Sequence, residues 1–503
     1  MLSIVRMTCV IALLATVALP AAVGAPPDAR PNILFVFTDD QSHRTVHCYE
    51  EAPRWVRTPN IDRLAAEGVR FRHAYASTWC VPSRAMMLTG LQPHAIRGMH
   101  FENNPVSRYD PAVCRFWPAE LRKAGYRTAM IGKWHLSPDG GHGRDWDHSV
   151  IWFHSIPRAA GGYYVDQKLS FDGGPLQAVG GYSTDNYTRY AVDFINRKHD
   201  RPWFLWLCYG AVHGPYTAAP RHESEYGERA PVPTPVDVFP PRPGKPKYAR
   251  EFGVWERGPG GEPMLEGRAL AEWVRQYNRG VLAIDEGVGQ VVKALEQSGQ
   301  LDNTFVVFVS DQGFAWGQHG FRHKLAPYDA NLRVPFIVRA PGHAAEGKTC
   351  LQPVAALDLI PTIFALAQTP VPWAMHGHDL SSILKEPESA WPHPVMLENF
   401  RWEFGEETDR AVADKAVFQG IPWWLSLRQG RYKYIRNLLK DEIEELYDLE
   451  SDPEELRNLA VRREHHELLA DFRGRLVAEL NRTEAGLLKN LPEPKVVSAP
   501  EAK

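Results

Sequence analysis

Two carboxylates stand side by side at Asp39-Asp40, closing a short apolar run at 33–38. A third, Asp311, follows a second apolar run at 305–309, with Gln312 next to it. Adjacent carboxylates repel one another unless a cation neutralises them. Oxygen donors of this kind suit Ca²⁺ or Mg²⁺ and not zinc. Two more apolar runs lead to ionisable side chains, 128–132 to Lys133-Trp134-His135 and 203–209 to His213. A single Asp-Asp pair is ordinarily a turn or a helix cap. Four strand-like runs ending this way point instead to one site, because ligands of open α/β sheets bind at the carboxyl ends of the strands.

A different kind of signal comes from Cys80-Val81-Pro82-Ser83-Arg84, followed by Leu88-Thr89-Gly90. Pro82 suits the first turn of a helix and Gly90 its end. Cys80 then lies at a helix amino terminus, where backbone N–H groups and the dipole attract anions, with Arg84 one turn along. Taken alone, this reads either as a thiolate of depressed pKa or as a buried cysteine ahead of a helix. His213 beside Pro215 and Lys324 read, on their own, as a loop histidine and a surface lysine.

These residues must be carried by elements. The runs at 33–38, 128–132, 203–209, 305–309 and 335–338 are continuously apolar and separated by helical patterns. That predicts an α/β fold with a mostly parallel central sheet flanked by helices. Residues 272–298 place Trp273, Tyr277, Val281, Ile284, Val288, Val291 and Leu295 on one helical face, with Gly299 as a stop. Ten prolines between 218 and 264 predict a long functional or disordered loop. Beyond about 394 the pattern changes: strands are expected at 431–436 and 445–449 and a helix over 453–480, a smaller C-terminal α+β domain. The expected organisation is a leader at 1–25, a catalytic domain at 26–394, the α+β subdomain at 395–490 and a frayed tail at 491–503.

At 503 residues, with 44% hydrophobic and 23% charged side chains, the chain belongs among folded globular proteins. A net charge of −3 excludes a general polyanion binder of the nucleic-acid kind. Arg6, an apolar stretch from 7 to 19 and a small-residue exit near Ala25 have the layout of a secretory signal peptide. A secreted or periplasmic protein with no membrane span after cleavage is expected. Removal of that leader takes Cys9 and leaves Cys48, Cys80, Cys114, Cys208 and Cys350, an odd number for an oxidising compartment. No Cys-x-x-Cys is present to hold zinc. Asn186-Tyr187-Thr188 and Asn481-Arg482-Thr483 fit glycosylation acceptors.

The segment Cys80-Val81-Pro82-Ser83-Arg84 with its trailing Leu88-Thr89-Gly90 resembles the signature of the type I, formylglycine-dependent sulfatases. Further matches follow in family order: 32–40, Thr58-Pro59-Asn60-Ile61-Asp62, Gly132-Lys133-Trp134-His135, His213-Gly214-Pro215, Ser310-Asp311-Gln312-Gly313, 324–335 and Glu445-Leu446-Tyr447-Asp448-Leu449. The resemblance implies an alkaline-phosphatase-like fold and hydrolysis of a sulfate ester, expected on a sulfated carbohydrate. It implies that Cys80 is oxidised by a formylglycine-generating enzyme and attacks sulfur as a gem-diol, so that the fifth cysteine needs no partner. Asp39, Asp40, Asp311 and Gln312 would hold one Ca²⁺, with Mg²⁺ as the alternative, touching residue 80 as well. Arg84 and Lys133 would orient the diol, and Lys133 and Lys324 would offset sulfuryl charge. His213 would protonate the leaving oxygen with Lys324 nearby, and His135 would act as base when sulfate is expelled. Gln312 departs from the family, where many members carry Asn. The alternatives are a phosphonate or phosphate ester hydrolase of the same superfamily, and a catalytically silent glycan-binding protein with unmodified Cys80. Leaving-group contacts are expected from 218–264, 316–323 and 398–424, although Trp423-Trp424 reads slightly better as a seam between domains.

Overall fold

A computed structural model describes residues 30–101, 106–154, 156, 160–410 and 419–495. Its main sheet contains β1 (Asn32–Thr38), β2 (Val69–Tyr75), β3 (Arg127–Lys133), β4 (His148–Trp152), β5 (Gln167–Phe171) and β6 (Leu176–Val179). It continues with β7 (Trp203–Cys208), β8 (Thr304–Ser310), β9 (Arg333–Val334), β10 (Phe336–Arg339) and β11 (Lys348–Ala355). The spatial order is β9-β2-β10-β8-β1-β7-β3-β4-β5-β6, with β11 on β2. Strands β8, β1, β7, β3 and β4 run parallel, and every residue of β1, β7 and β8 is buried. Burial on both faces explains why these strands read as unbroken apolar runs.

The flanks differ from the sequence reading. Strands β5, β6, β9 and β10 pair antiparallel with their neighbours. Of these, β5 and β6 alternate buried and exposed side chains or lie largely open. β2, Val-Arg-Phe-Arg-His-Ala-Tyr, alternates too and gives no apolar run. Helices cover the sheet, among them α1 (Pro59–Ala66), α2 (Cys80–Thr89), α3 (Ser183–Ile195) and α4 (Leu270–Gln297). The last coincides with the apolar face expected for 272–298, and the expected face residues are buried in it.

Residues 218–264 contain only a 3₁₀ turn at Pro220–His222, a single helical turn at Lys247–Arg250 and short strands. The loop is nevertheless ordered around buried Arg242, whose guanidinium donates to the carbonyls of Asp237, Val238, Ala249 and Phe252.

A second, antiparallel sheet joins β12 (Val395–Asn399), β13 (Trp424–Gln429), β14 (Tyr432–Asn437) and β15 (Glu445–Asp448). The helix expected over 453–480 is instead α5 (His466–Arg482). Its start is delayed because the Asp452 carboxylate accepts from the backbone of Leu456 and Arg457 at 3.0 and 2.7 Å, and Glu455 turns to φ 53. The expected frayed tail is corrected for 491–495: Lys495 bridges to Ile443, and Arg436 donates to the Pro492 carbonyl. The rest of that tail and the leader at 1–25 lie outside the described residues. Among the described residues no helix is long and apolar enough to cross a membrane. Cys48, Cys80, Cys114, Cys208 and Cys350 all carry free thiols. Asn186 is buried within α3 and donates to the Gly180 carbonyl, so the first glycosylation acceptor is sterically closed.

Candidate active site

Asp39 and Asp40 leave β1 at its carboxyl end, and Asp311 and Gln312 leave the adjacent β8 in the same direction. Left-handed backbone at Asp40 (φ 58) turns the chain off the sheet, a strained conformation of the type found at functional sites. It is pinned from α4: the Tyr277 hydroxyl donates to the Asp40 carbonyl and accepts from the Ser42 N–H at 2.9 Å. The Asp40 N–H donates to Asp311 Oδ1 at 2.9 Å, locking the two strand ends together. Lys133 ends β3. The glycine before it is required, since a Cβ at Gly132 would meet the Cys208 carbonyl oxygen at 1.9 Å.

Cys80 opens α2, and Gly90 ends the helix with φ 74, donating to the Met86 carbonyl. Every residue of this helix is buried. Burial, together with the negative charge of Asp39, pushes the Cys80 thiol up to about 12. Of the two readings open for Cys80, a thiolate of depressed pKa and a buried cysteine ahead of a helix, the second holds. Arg84, one turn along, donates to the Lys133 carbonyl at 2.9 Å and to Asp311 Oδ2 at 3.3 Å.

The charged groups converge. Lys133 Nζ donates to Asp39 Oδ2, and Lys324 Nζ lies 2.6 Å from Asp40 Oδ1 and 3.1 Å from Cys80 Sγ. The Gln312 amide donates to Asp40 Oδ1 and approaches Cys80 Sγ at 3.4 Å. Sequence alone shows no basic partner for the three aspartates, and this is corrected by Lys133, Lys324 and Arg84. Burial is outweighed at Asp39 by Lys133, His213 and Arg84, which hold its carboxyl well below the usual range. Asp311 is pushed well up by burial and by its repulsion from Asp39.

The donor set fits a hard divalent cation. One oxygen each from Asp39, Asp40 and Asp311 lies within 4.8 Å of the others. Asp39 Oδ1 and Gln312 Oε1 are buried with no hydrogen-bond partner in the protein, a costly arrangement unless a cation takes them.

His213 stands at the mouth with its side chain 26% exposed. Its Nδ1 lies 2.8 Å from the Gly214 carbonyl, which makes Nδ1 a donor and turns Nε2 toward Asp40 Oδ2 at 3.7 Å. Burial holds His213 below the ordinary imidazole range, opposed by Asp40. His135 is deeply buried, with left-handed backbone (φ 60), and burial followed by the charge of nearby His154 and Lys133 pulls its pKa well down. The ring at this position is therefore uncharged at neutral pH.

Two neighbours had no signal in the sequence. His154 packs edge-on against His135 with centroids 4.2 Å apart. Tyr163 accepts from Lys133 Nζ at 2.9 Å and donates to Asp39 Oδ2. Neither belongs to an apolar run, and only the tertiary fold brings them in.

Of the tryptophans expected near the leaving group, Trp316 is buried against Phe314, Tyr277 and Trp273. Trp424 is buried at the seam between the sheets, donating to the Leu325 carbonyl at 2.8 Å. Trp423 packs on Phe400 in the smaller core. Trp402 remains half-exposed against Trp79, the residue before Cys80, at a centroid distance of 4.1 Å.

A model of the sulfatase family matches residues 31–369, and one described as N-sulphoglucosamine sulphohydrolase, C-terminal, matches 317–482. The chain belongs to the sulfatase family. It is a sulfuric ester hydrolase, and its fold is that of solved sulfatases. An N-acetylglucosamine-6-O-sulfatase of Bacteroides thetaiotaomicron is 29% identical to this sulfatase, the match covering 87% of this chain and 84% of the relative. A solved structure in complex with its substrate D-glucosamine-2-N,6-O-disulfate superposes with a TM-score of 0.76 at 27% identity, covering 90% of this chain and 98% of that one. The phosphonate monoester hydrolase of Agrobacterium radiobacter shares the fold alone, at a TM-score of 0.64 and 19% identity over 90% of this chain and 96% of the other.

Proposed function

We propose that this sulfatase hydrolyses the 6-O-sulfate ester of a sulfated amino sugar, using residue 80 as formylglycine and one Ca²⁺. The observation that carries the reading is the convergence of three carboxylates, Gln312, Lys133, Lys324 and His213 on the single buried side chain of Cys80. The substrate class is supported by the N-acetylglucosamine-6-O-sulfatase relative and the disulfated glucosamine complex. Asp39, Asp40, Asp311 and Gln312 would hold the ion, for which Mg²⁺ is the nearest substitute. When bound, it supplies Lewis acidity toward an ester oxygen and toward residue 80.

The oxidised form of residue 80 carries a hydroxyl nucleophile that a thiol held near 12 does not replace at neutral pH. Lys324, 3.1 Å from the residue 80 side chain, holds that group and offsets charge on the sulfuryl oxygens together with Lys133. Arg84 fixes the Lys133 carbonyl and Asp311, and so sets the floor of the site. His213, partly open to solvent and aimed by its bond to Gly214, acts in its doubly protonated form, which Asp40 favours against burial, and gives its Nε2 proton to the bridging oxygen as the sugar departs, leaving the neutral ring protonated on Nδ1. Buried neutral His135 takes the proton that lets residue 80 shed sulfate. The three aspartates and the three cations Arg84, Lys133 and Lys324 balance, so a bound dication leaves the site positive toward a sulfate monoanion.

Maturation then requires a formylglycine-generating enzyme, and residues 1–25 act as a leader to a secreted or periplasmic location. The test is a desulfation panel using protein made in a host that forms formylglycine. It compares glucosamine 6-O-sulfate, glucosamine N-sulfate and 4-nitrophenyl sulfate. Fastest turnover is expected on the 6-O-sulfate. Release confined to the N-sulfate or to the aryl ester would contradict the proposed substrate.

A further inference from the structure

We infer that Tyr163 is a positioning residue of this site, tying the aspartate–lysine floor to the histidine at the mouth. Its hydroxyl accepts from Lys133 Nζ at 2.9 Å and donates to Asp39 Oδ2. Its ring lies flat on His213, with centroids 4.7 Å apart and planes 7° from parallel. The other side is held by Trp152, which meets the ring edge-on at 4.7 Å, and by His154 at 5.2 Å. Space for the ring is provided by Gly210, where a Cβ would lie 3.0 Å from Tyr163 Cε1.

Two consequences follow from this geometry, and both rest on the roles proposed above for the ion and for His213. Lys133 and Tyr163 together occupy Asp39 Oδ2, so Oδ1, which accepts no hydrogen bond in the protein and has only Arg84 Nη2 at 4.0 Å, is left to face a cation. Groups that orient a metal ligand in this way commonly contribute 10–100-fold to ion affinity. The stacked ring and the Gly214 carbonyl fix both the plane and the rotation of the His213 imidazole. A proton donor needs that alignment most when the leaving group is a poor one.

The hydroxyl and the ring therefore have separable duties, and two variants separate them. Tyr163→Phe keeps the stack and loses the link to Asp39. Tyr163→Leu loses both. The readouts are the Ca²⁺ concentration giving half-maximal thermal stabilisation, and kcat/KM on a sugar sulfate and on 4-nitrophenyl sulfate, whose oxygen needs no proton to leave. Tyr163→Phe should raise the Ca²⁺ requirement about tenfold and lower turnover of both esters equally. Tyr163→Leu should add a further loss of about tenfold on the sugar sulfate only, in the same direction as His213→Ala. An unchanged Ca²⁺ requirement in Tyr163→Phe would overturn the link to Asp39. A His213→Ala control that treats both esters alike would contradict the role of His213, and this inference with it. A discriminating His213→Ala beside a Tyr163→Leu that loses both esters equally would overturn the Tyr163 inference alone.

Discussion

The chemistry of residue 80 depends on groups that surround it without packing against it in the apolar sense. Lys324, Gln312 and Asp40 are its polar neighbours, and its thiol is driven up to about 12 by burial. The segment Cys80-Val81-Pro82-Ser83-Arg84 predicts that in active protein this residue is not cysteine. Mass spectrometry of the peptide spanning 80–84 should show sulfur lost and a carbonyl gained, and a fully active preparation with an intact thiol would sink that account. Cys80→Ala should abolish turnover while changing unfolding free energy by no more than about 1 kcal/mol. The three aspartates were legible as an oxygen-ligand set from their strand ends. Their lysine and arginine partners were not, because 94 residues separate Asp39 from Lys133 and 284 separate Asp40 from Lys324. That pairing changes what chelation should do. With Lys133, Lys324 and Arg84 present to compensate, removing Ca²⁺ should abolish activity but lower the melting temperature only modestly, by a few degrees. Calorimetry with and without chelator checks this, and collapse of the fold on chelation would show that the lysines do not compensate.

At the scale of elements, the apolar runs located β1, β3, β7, β8 and β10 because burial on both faces leaves no polar alternation. β2 escaped because Arg70 and Arg72 interrupt it, and the antiparallel strands β5 and β6 escaped because one face or more meets solvent. Some motifs turn out to serve the scaffold. Thr58-Pro59-Asn60-Ile61-Asp62 opens α1, and its N–H groups at Asn60 and Ile61 donate to Asp285 of α4 at 3.0 and 2.9 Å. Another junction joins the two sheets through His94. Its Nδ1 lies 2.6 Å from Glu398 Oε2 and its Nε2 3.0 Å from the Thr483 carbonyl, so both ring nitrogens face acceptors and the doubly protonated ring is favoured. Burial opposes this, but Glu398 prevails and raises the pKa. A raised imidazole pKa contributes stability that is fully present below the unfolded value of about 6.5 and is lost as pH rises through the folded value. The melting-temperature gap between wild type and His94→Gln should therefore be widest near pH 6 and narrow toward pH 9. A gap that stays constant or widens with pH would show that His94 is neutral in the fold.

Across the whole molecule, the smaller sheet reaches the active site through a buried charge network. Glu445 accepts from Tyr328 at 2.9 Å and lies 3.8 Å from Lys245 Nζ, while Lys433 and Arg428 pair with Asp329 at 2.9 and 3.2 Å. Tyr328 and Asp329 belong to the segment that begins at Lys324, so the Glu445-Leu446-Tyr447-Asp448-Leu449 motif buttresses the segment that carries Lys324 without touching the site. Glu445→Ala leaves Lys245 short of a buried counter-charge and should cost about 3 kcal/mol of stability. Denaturant titration measures this, and a loss below 1 kcal/mol would mean that Glu455 and Tyr447 suffice for Lys245. The most direct test of the account as a whole is the ratio of kcat/KM for a 6-O-sulfated glucosamine to that for the matching 6-phosphate. The measurement should use Ca²⁺-loaded enzyme carrying formylglycine. Membership of the sulfatase family, and not the charge count, predicts a preference for the sulfate, since a site with a net charge of two would also attract the phosphate dianion; the same enzyme with Cys80→Ala should turn over neither. A clear preference for the phosphate, or equal sulfate release by the Cys80→Ala variant, would contradict it.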